Sequence, residues 1–383
     1  MKRPENLFSI PFGEARIRAP FSDVYRFFGV TIAVRSDAKE ILDWFRCLYP
    51  RFRVTKPNGE PDAAYYILTE ESEEPLLVAV EGSRIRPKLM ADADSAASYA
   101  HLLAFNFLAA RLKSHFLLHG AVVSRNGDAL AIVGPSGSGK TALMLQLLLE
   151  NGFKYLSDDQ LVVNRATHLI DPYPRSVGIR QNTLALFSNI KLGNRKPQIA
   201  VGGQRKWFVD ISEISESGVG NPCHLKHLVF LVNSLKGTKT DDEWIELVVD
   251  DFTDELLEKL RDYARGREIN NRHMKNCHAL GFYPEAELPS VLDFEQLCQS
   301  YGTWLLDVRR YNGLEPDFHA SPEIQQIPWH EATMELLRGL QNDFRSTPGG
   351  AFVELAEILE GVSSYKLSIG KLDKMAEHVC GII

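Results

Sequence analysis

The sequence predicts an α/β fold, and three observations predict it. Short runs of aromatic and β-branched residues alternate with amphipathic segments through the first 235 residues. A glycine-rich segment at 134–141 lies between a β-like run and a helix-like run. The composition, 44% hydrophobic and 24% charged, is that of a chain able to bury a core.

At 383 residues the chain is long enough for more than one domain. The pattern places an α+β domain at 1–93, suited to assembly or partner docking. A glycine-rich-loop core follows at 94–235, and a helix-rich part that completes it at 236–383. The formal net charge of −7 argues against a nucleic-acid binder, which usually carries a basic excess. Cys47, Cys223, Cys277, Cys298 and Cys380 are scattered without a CxxC pair, the pattern of free thiols in a reducing compartment. No apolar run approaches the roughly 18 residues of a membrane span. The Met-Lys-Arg-Pro-Glu-Asn start has no apolar stretch of the signal-peptide kind, so the expected location is the cytoplasm.

Along the chain, residues 25–34 form a strand-like run. Ser36 or Asp37 then caps a helix, with Glu40 placed for a capping box. Ile41, Leu42, Trp44, Phe45 and Leu48 form its apolar face, and Pro50 stops it. Residues 65–69 and 76–80 are further strands, and 94–113 is an alanine-rich helix. Residues 116–124 and 129–133 flank Asn126-Gly127, a hairpin signal because both turn positions need positive φ. A helix over 140–150 ends at Gly152, where a C-cap glycine is expected. Strands follow at 153–156 and 161–163, and the fully apolar run 228–232 is a buried core strand. Farther on, 253–265 and 294–304 are helical, 312–328 is loop-like, and a strand at 365–369 precedes a helix at 371–380.

The chemistry is carried by Gly134, Pro135, Ser136, Gly137, Ser138, Gly139, Lys140 and Thr141, which fit G-x-x-x-x-G-K-[ST] at every fixed position. Glycines let the backbone curl into a nest of N–H groups that a Cβ would obstruct. The helix that follows presents its positive end to the same anion. A lysine here reaches the β- and γ-phosphates of a nucleoside triphosphate, and the Thr141 hydroxyl ligates Mg²⁺. Next, Ser157-Asp158-Asp159 ends the strand after the loop helix. An acidic residue there holds the metal or accepts a proton from an attacking hydroxyl, and either aspartate can fill either role.

With those residues in view, Leu118-His119-Gly120-Ala-Val-Val, the hairpin, the loop and Gly152-Phe-Lys-Tyr-Leu-Ser-Asp-Asp resemble the core of HPr serine kinase. The resemblance is closer to the HPr-kinase-like kinases of ribosomal peptide biosynthesis, including lasso-peptide tailoring. Those proteins share a nucleotide-binding fold with phosphoenolpyruvate carboxykinase. The resemblance covers about residues 115–185, extends to about 235, recurs at Tyr365-Lys-Leu and does not reach the N-terminal domain. It implies that His119, Lys140 and the Asp158/Asp159 pair act together. It also brings in Arg175 and Arg180, in Pro-Tyr-Pro-Arg-Ser-Val-Gly-Ile-Arg, as phosphate clamps, with Arg205-Lys206-Trp207 in a similar part. The chain has Thr141-Ala142 where HPr kinase carries Ser-Glu, and lacks the glycine- and arginine-rich signature of the reverse, phosphorolytic reaction. Both departures point to a one-way kinase whose substrate is not HPr.

The reading is therefore an ATP- and Mg²⁺-dependent kinase acting on a hydroxyl, a Ser or Thr of a peptide or protein such as a ribosomal precursor peptide. The alternatives are a kinase of a small-molecule alcohol or amino acid, and an ATP-sensing regulator without phosphotransfer. Neither a nucleic acid nor a membrane is an expected partner; self-association is compatible with an assembly role for the N-terminal domain. His273-x-x-x-Cys277-His278 has zinc-ligand residue types, but its spacing in a polar stretch usually means nothing.

Overall fold

The computed structural model describes residues 12–56, 59–69, 75–79, 88–90, 92–200, 204–235, 243–249, 251–274, 277–285, 294, 297–298, 300–303, 305–312, 317–341 and 348–383. The fold is mixed α/β, and the chain divides into two compact units. The first comprises Met1–Leu112, Arg175–Arg180 and Leu192–Asp210; the second comprises Lys113–Pro174, Gln181–Lys191 and Ile211–Ile383.

In the first unit a six-stranded sheet runs Arg53–Val54, Phe21–Phe27, Val30–Ser36, Ala63–Thr69, Pro75–Ala79, Lys88–Leu89. Its one parallel pair, Val30–Ser36 with Ala63–Thr69, needs a crossover, and helix Lys39–Leu48 lies in that connection. Ile41, Leu42, Trp44, Phe45 and Leu48 are buried as their spacing predicts. Helix Ala93–Arg111, capped by Asp92 accepting from the Ser95 N–H at 2.7 Å, packs beside it. A small sheet of Val177–Ile179, Gln204–Val209 and Gln198–Ala200 completes the unit against these helices.

Two expectations about this unit fail. The run 25–34 is a hairpin, not one strand: Phe28 and Gly29 both take positive φ (48° and 91°), the double requirement of a tight two-residue turn. The helix at 39 has no capping box. Its N-cap is Ala38, while Ser36 Oγ donates to Ile67 O and Asp37 accepts from Thr69, so tertiary bonds have claimed both cap candidates.

The second unit is built on a nine-stranded sheet. Its main path is Lys154–Ser157, Ala121–Arg125, Asp128–Val133, Cys223–Val232, Leu169–Ile170, Gln160–Asn164, His115–His119. Ser363–Ser368 joins the second half of Cys223–Val232 and carries Ile324–Ile327 on its far side. Asp128–Val133, Cys223–Val232 and Ser363–Ser368 are mutually parallel, so their carboxyl ends share one edge. Lys154–Ser157 is antiparallel to Ala121–Arg125, itself antiparallel to Asp128–Val133, so it too ends on that edge. Ala129, Ala131 and Val133 join the core beneath helices Trp329–Leu337 and Pro348–Leu359. Alternation sends Leu130 and Ile132, also buried, to the other face, where helix Lys140–Glu150 packs. Burial on both faces explains the uninterrupted apolar run.

The Asn126-Gly127 turn is as expected, with φ of 56° and 91° and Arg125 opposite Asp128. Gly152, at φ 70°, follows the loop helix as its left-handed cap. The run 116–124 is instead broken at Gly120 into strands His115–His119 and Ala121–Arg125, which pair with different partners. The stretch 312–328 is not all loop, because Ile324–Ile327 pairs with Ser363–Ser368. The part at 236–383 is mixed rather than helix-rich. It holds an antiparallel sheet of Asn270–Met274, Cys277–Phe282, Glu243–Val249 and Leu305–Asn312, packed with helix Asp254–Arg261. Of the helix expected at 294–304, residues 294, 297, 298 and 300 are helical, while 301–303 lie beyond its end. Among the described residues, no helix is long and apolar enough to cross a membrane.

Candidate functional site

The glycine-rich loop leaves the carboxyl end of Asp128–Val133 and enters helix Lys140–Glu150. Gly137 and Gly139 take φ of 84° and 93°, values that glycine adopts without the Cβ clash of other residues. Gly134 is required for space: a Cβ there would lie 2.9 Å from Ser138 Oγ and 3.0 Å from Leu231 Cβ. The loop is thus wedged against the end of the neighbouring parallel strand. Lys140 is 7% exposed, and its Nζ donates to Gly134 O at 2.7 Å and Pro135 O at 2.9 Å. Ser138 is buried, and its Oγ has no hydrogen-bond partner among the described residues.

Asp158 is brought to this loop by sheet topology, since the strand Lys154–Ser157 ends on the loop's edge. Thr141 Oγ1 donates to Asp158 Oδ1 at 3.0 Å, and Asp158 is 2% exposed. The Asp158 N–H donates in turn to the Tyr155 hydroxyl at 2.9 Å, fixing the backbone beneath the carboxylate. The strand stops at Ser157, and Asp159 takes φ of 77°, a left-handed conformation that aspartate tolerates better than most residues. The two carboxylates are therefore not successive residues of one strand.

His119 ends its strand opposite Gln160, and the Gly120 N–H donates to Asp159 O at 3.2 Å. The His119 N–H donates to Gly339 O at 3.1 Å. A Cβ at Gly120 would meet Ile132 O at 3.1 Å and Val133 Cγ2 at 3.3 Å, so this glycine lets the His119 strand end close against the loop strand. His119, Asp158, Asp159, Lys140 and Thr141 thus gather in the second unit.

Arg175 and Arg180 belong to the first unit, as do Arg205, Lys206 and Trp207. Arg175 is buried, and its charge, with that of Lys206, opposes protonation of His101. Among the described residues no group of three metal-ligating side chains occurs. The side chains of His273 and Cys277 lie outside the described residues, and His278 packs its ring edge-on against Phe252.

Sequence reasoning did not single out Tyr155, Asn233 or Phe318. Asn233 follows the carboxyl end of Cys223–Val232, on the edge that bears the loop, a placement visible only once the parallel pairing is known. Tyr155 needs no more than its spacing, three residues before Asp158 in a strand that then turns.

No family model and no curated protein matches the sequence. Among solved structures, the Hpr(Ser) kinase/phosphatase from Coxiella burnetii matches over 49% of this chain and 90% of that chain, at 13% identity and a TM-score of 0.19.

Proposed function

We propose that the chain is an ATP- and Mg²⁺-dependent kinase of the HPr-kinase-like, P-loop type that phosphorylates a hydroxyl, a Ser or Thr of a peptide or protein. The single observation that carries this reading is the 3.0 Å hydrogen bond from Thr141 Oγ1 to the buried Asp158 carboxylate at the mouth of a glycine loop. A hydroxyl and a carboxylate in that relation are the oxygen donors a small divalent cation takes beside a triphosphate. Two further features fit a bound phosphate chain: the left-handed Gly137 and Gly139 that curl the loop, and the buried Ser138 hydroxyl, which has no partner among the described residues.

In this reading the loop N–H groups and Lys140 hold the β- and γ-phosphates and offset charge on the transferring group. Thr141 and Asp158 would hold Mg²⁺, which would supply positive charge to offset that of the triphosphate. Asp159, off the strand, accepts the proton of the attacking hydroxyl, and His119 orients it or the γ-phosphate. Phosphoryl transfer needs little covalent help, so positioning and electrostatics suffice. The test is mass spectrometry of candidate peptides and small alcohols incubated with the full chain, ATP and Mg²⁺. A gain of one phosphate that Lys140→Ala abolishes supports the reading; no phosphorylated product from any hydroxyl substrate opposes it.

A further inference from the structure

Phe318 is 47% exposed, although it is a large apolar side chain. Its ring lies against the glycine loop: a Cβ placed at Gly139 would be 3.8 Å from Phe318 Cε1. An exposed phenylalanine is unremarked on most surfaces. Here three features give it a use.

The segment that carries it is tied down. The Ala320 N–H donates to Asp317 O at 3.2 Å, and the His319 N–H donates to Asp317 Oδ1 at 2.9 Å, closing a turn around Phe318. The Lys371 N–H donates to Ala320 O at 2.9 Å, and the Glu323 N–H donates to Ser368 Oγ at 2.7 Å. Gly370 permits the approach, since a Cβ there would stand 2.5 Å from Ala320 O. The ring is therefore held from the end of the strand Ser363–Ser368, on the same sheet edge as the loop. Finally, the ring borders the loop at Gly139, the residue that leads into helix Lys140–Glu150.

We infer that Phe318 is the aromatic surface against which the nucleoside part of the bound triphosphate lies, its base stacked on the ring face. This rests on the proposed nucleotide site and adds to it a residue far away in sequence. A fixed aromatic ring supplies a stacking surface at little entropic cost, and such stacking tolerates any base. The ring therefore contributes affinity for nucleotides in general, and base identity must be read elsewhere.

The test is titration calorimetry of the full chain with Mg²⁺ and either a non-hydrolysable ATP analogue or inorganic tripolyphosphate, which lacks the nucleoside. Phe318→Ala should weaken the analogue roughly tenfold or more and leave tripolyphosphate within about twofold. Phe318→Trp should retain analogue binding, whereas Phe318→Leu, apolar but without a π face, should follow alanine. Equal losses on both ligands would make the ring a cover for the phosphates and overturn the inference. An unchanged analogue affinity in Phe318→Ala would overturn it as well while leaving the phosphate loop assigned. A wild-type chain that binds neither ligand would overturn the nucleotide site itself and this inference with it.

Discussion

Thr141 and Asp158 are 17 positions apart in sequence and share a 3.0 Å hydrogen bond at the edge of a nine-stranded sheet. One stands in the first turn of the loop helix, the other just past a strand two places away from the loop strand. Two successive antiparallel pairings bring that strand's end back to the loop's edge. Thr141→Val removes the hydroxyl at nearly constant volume and leaves Asp158 buried without this donor. The expected outcome is a loss of metal-dependent phosphotransfer greater than the loss of affinity for metal-free triphosphate. Equal losses would assign Thr141 to the phosphates alone. Activity in the wild type should vanish with EDTA and return with Mg²⁺.

Lys140→Ala should abolish phosphotransfer and weaken ATP binding while the loop backbone persists. The ammonium donates to two carbonyls of its own loop, so its removal leaves Gly134 O and Pro135 O without that donor. Those carbonyls can turn to water, and circular dichroism should show an intact fold. Wild-type turnover in this variant would remove the loop from the mechanism.

Asp158→Asn and Asp159→Asn should differ in kind. The buried Asp158 sits on Thr141, so its amide variant should lose Mg²⁺ affinity and activity together. Asp159 lies off the strand at positive φ, and Asn tolerates that conformation, so its variant should fold and bind ATP·Mg²⁺ but transfer no phosphate. Calorimetry beside a phosphotransfer assay separates the two. Wild-type turnover in Asp159→Asn would leave a nucleotide binder without a base, as in a sensor.

Gly134→Ala tests how the loop is seated against the Cys223–Val232 strand. Its Cβ would fall 2.9 Å from Ser138 Oγ and 3.1 Å from Leu231 O, and the latter is backbone that cannot swing aside. Overpacking of this sort costs about 1–3 kcal/mol. The variant should melt earlier and bind tripolyphosphate poorly, whereas Gly127→Ala, in the hairpin turn, should melt earlier through its positive φ and bind normally.

What was legible in the sequence was what local chemistry decides. Asn126-Gly127 announces its turn because both residues tolerate positive φ, and the glycine-rich loop announces its bend because Gly137 and Gly139 take positive φ. Phe28-Gly29 makes the same kind of turn and was not legible, because phenylalanine is an unusual occupant of positive φ. The break at Gly120 was hidden within an apolar run, since both halves are strands and only their partners differ. Ile324–Ile327 and the sheet around Glu243–Val249 depend on long-range pairing, and Phe318 reaches Gly139 only through the folded chain. The conformation of the aspartate pair was not legible, because nothing in Ser-Asp-Asp says where the strand stops.

The last prediction concerns the first unit and pH. His101 lies among Trp44, Tyr49, Arg175 and Lys206, with its Nδ1 3.0 Å from the Tyr49 hydroxyl. Burial, and then the charges of Arg175 and Lys206, hold its pKa down at about 3, against 6.5 for an ordinary histidine. Between those values the unfolded chain binds a proton that the folded chain does not. The contribution is therefore fully present above about pH 6.5 and is lost as the pH falls, by about 1.4 kcal/mol per pH unit, levelling near pH 3. His101→Gln keeps a polar partner for Tyr49 and cannot titrate. Hydrogen exchange of the Ala93–Arg111 amides, measured on both proteins at pH 7 and pH 5, isolates the effect from other titrating groups. Wild-type protection should fall by about 2 kcal/mol more than that of the variant. A parallel decline in the two proteins would mean that the histidine is protonated in the folded state, and that Arg175 and Lys206 do not oppose its charge.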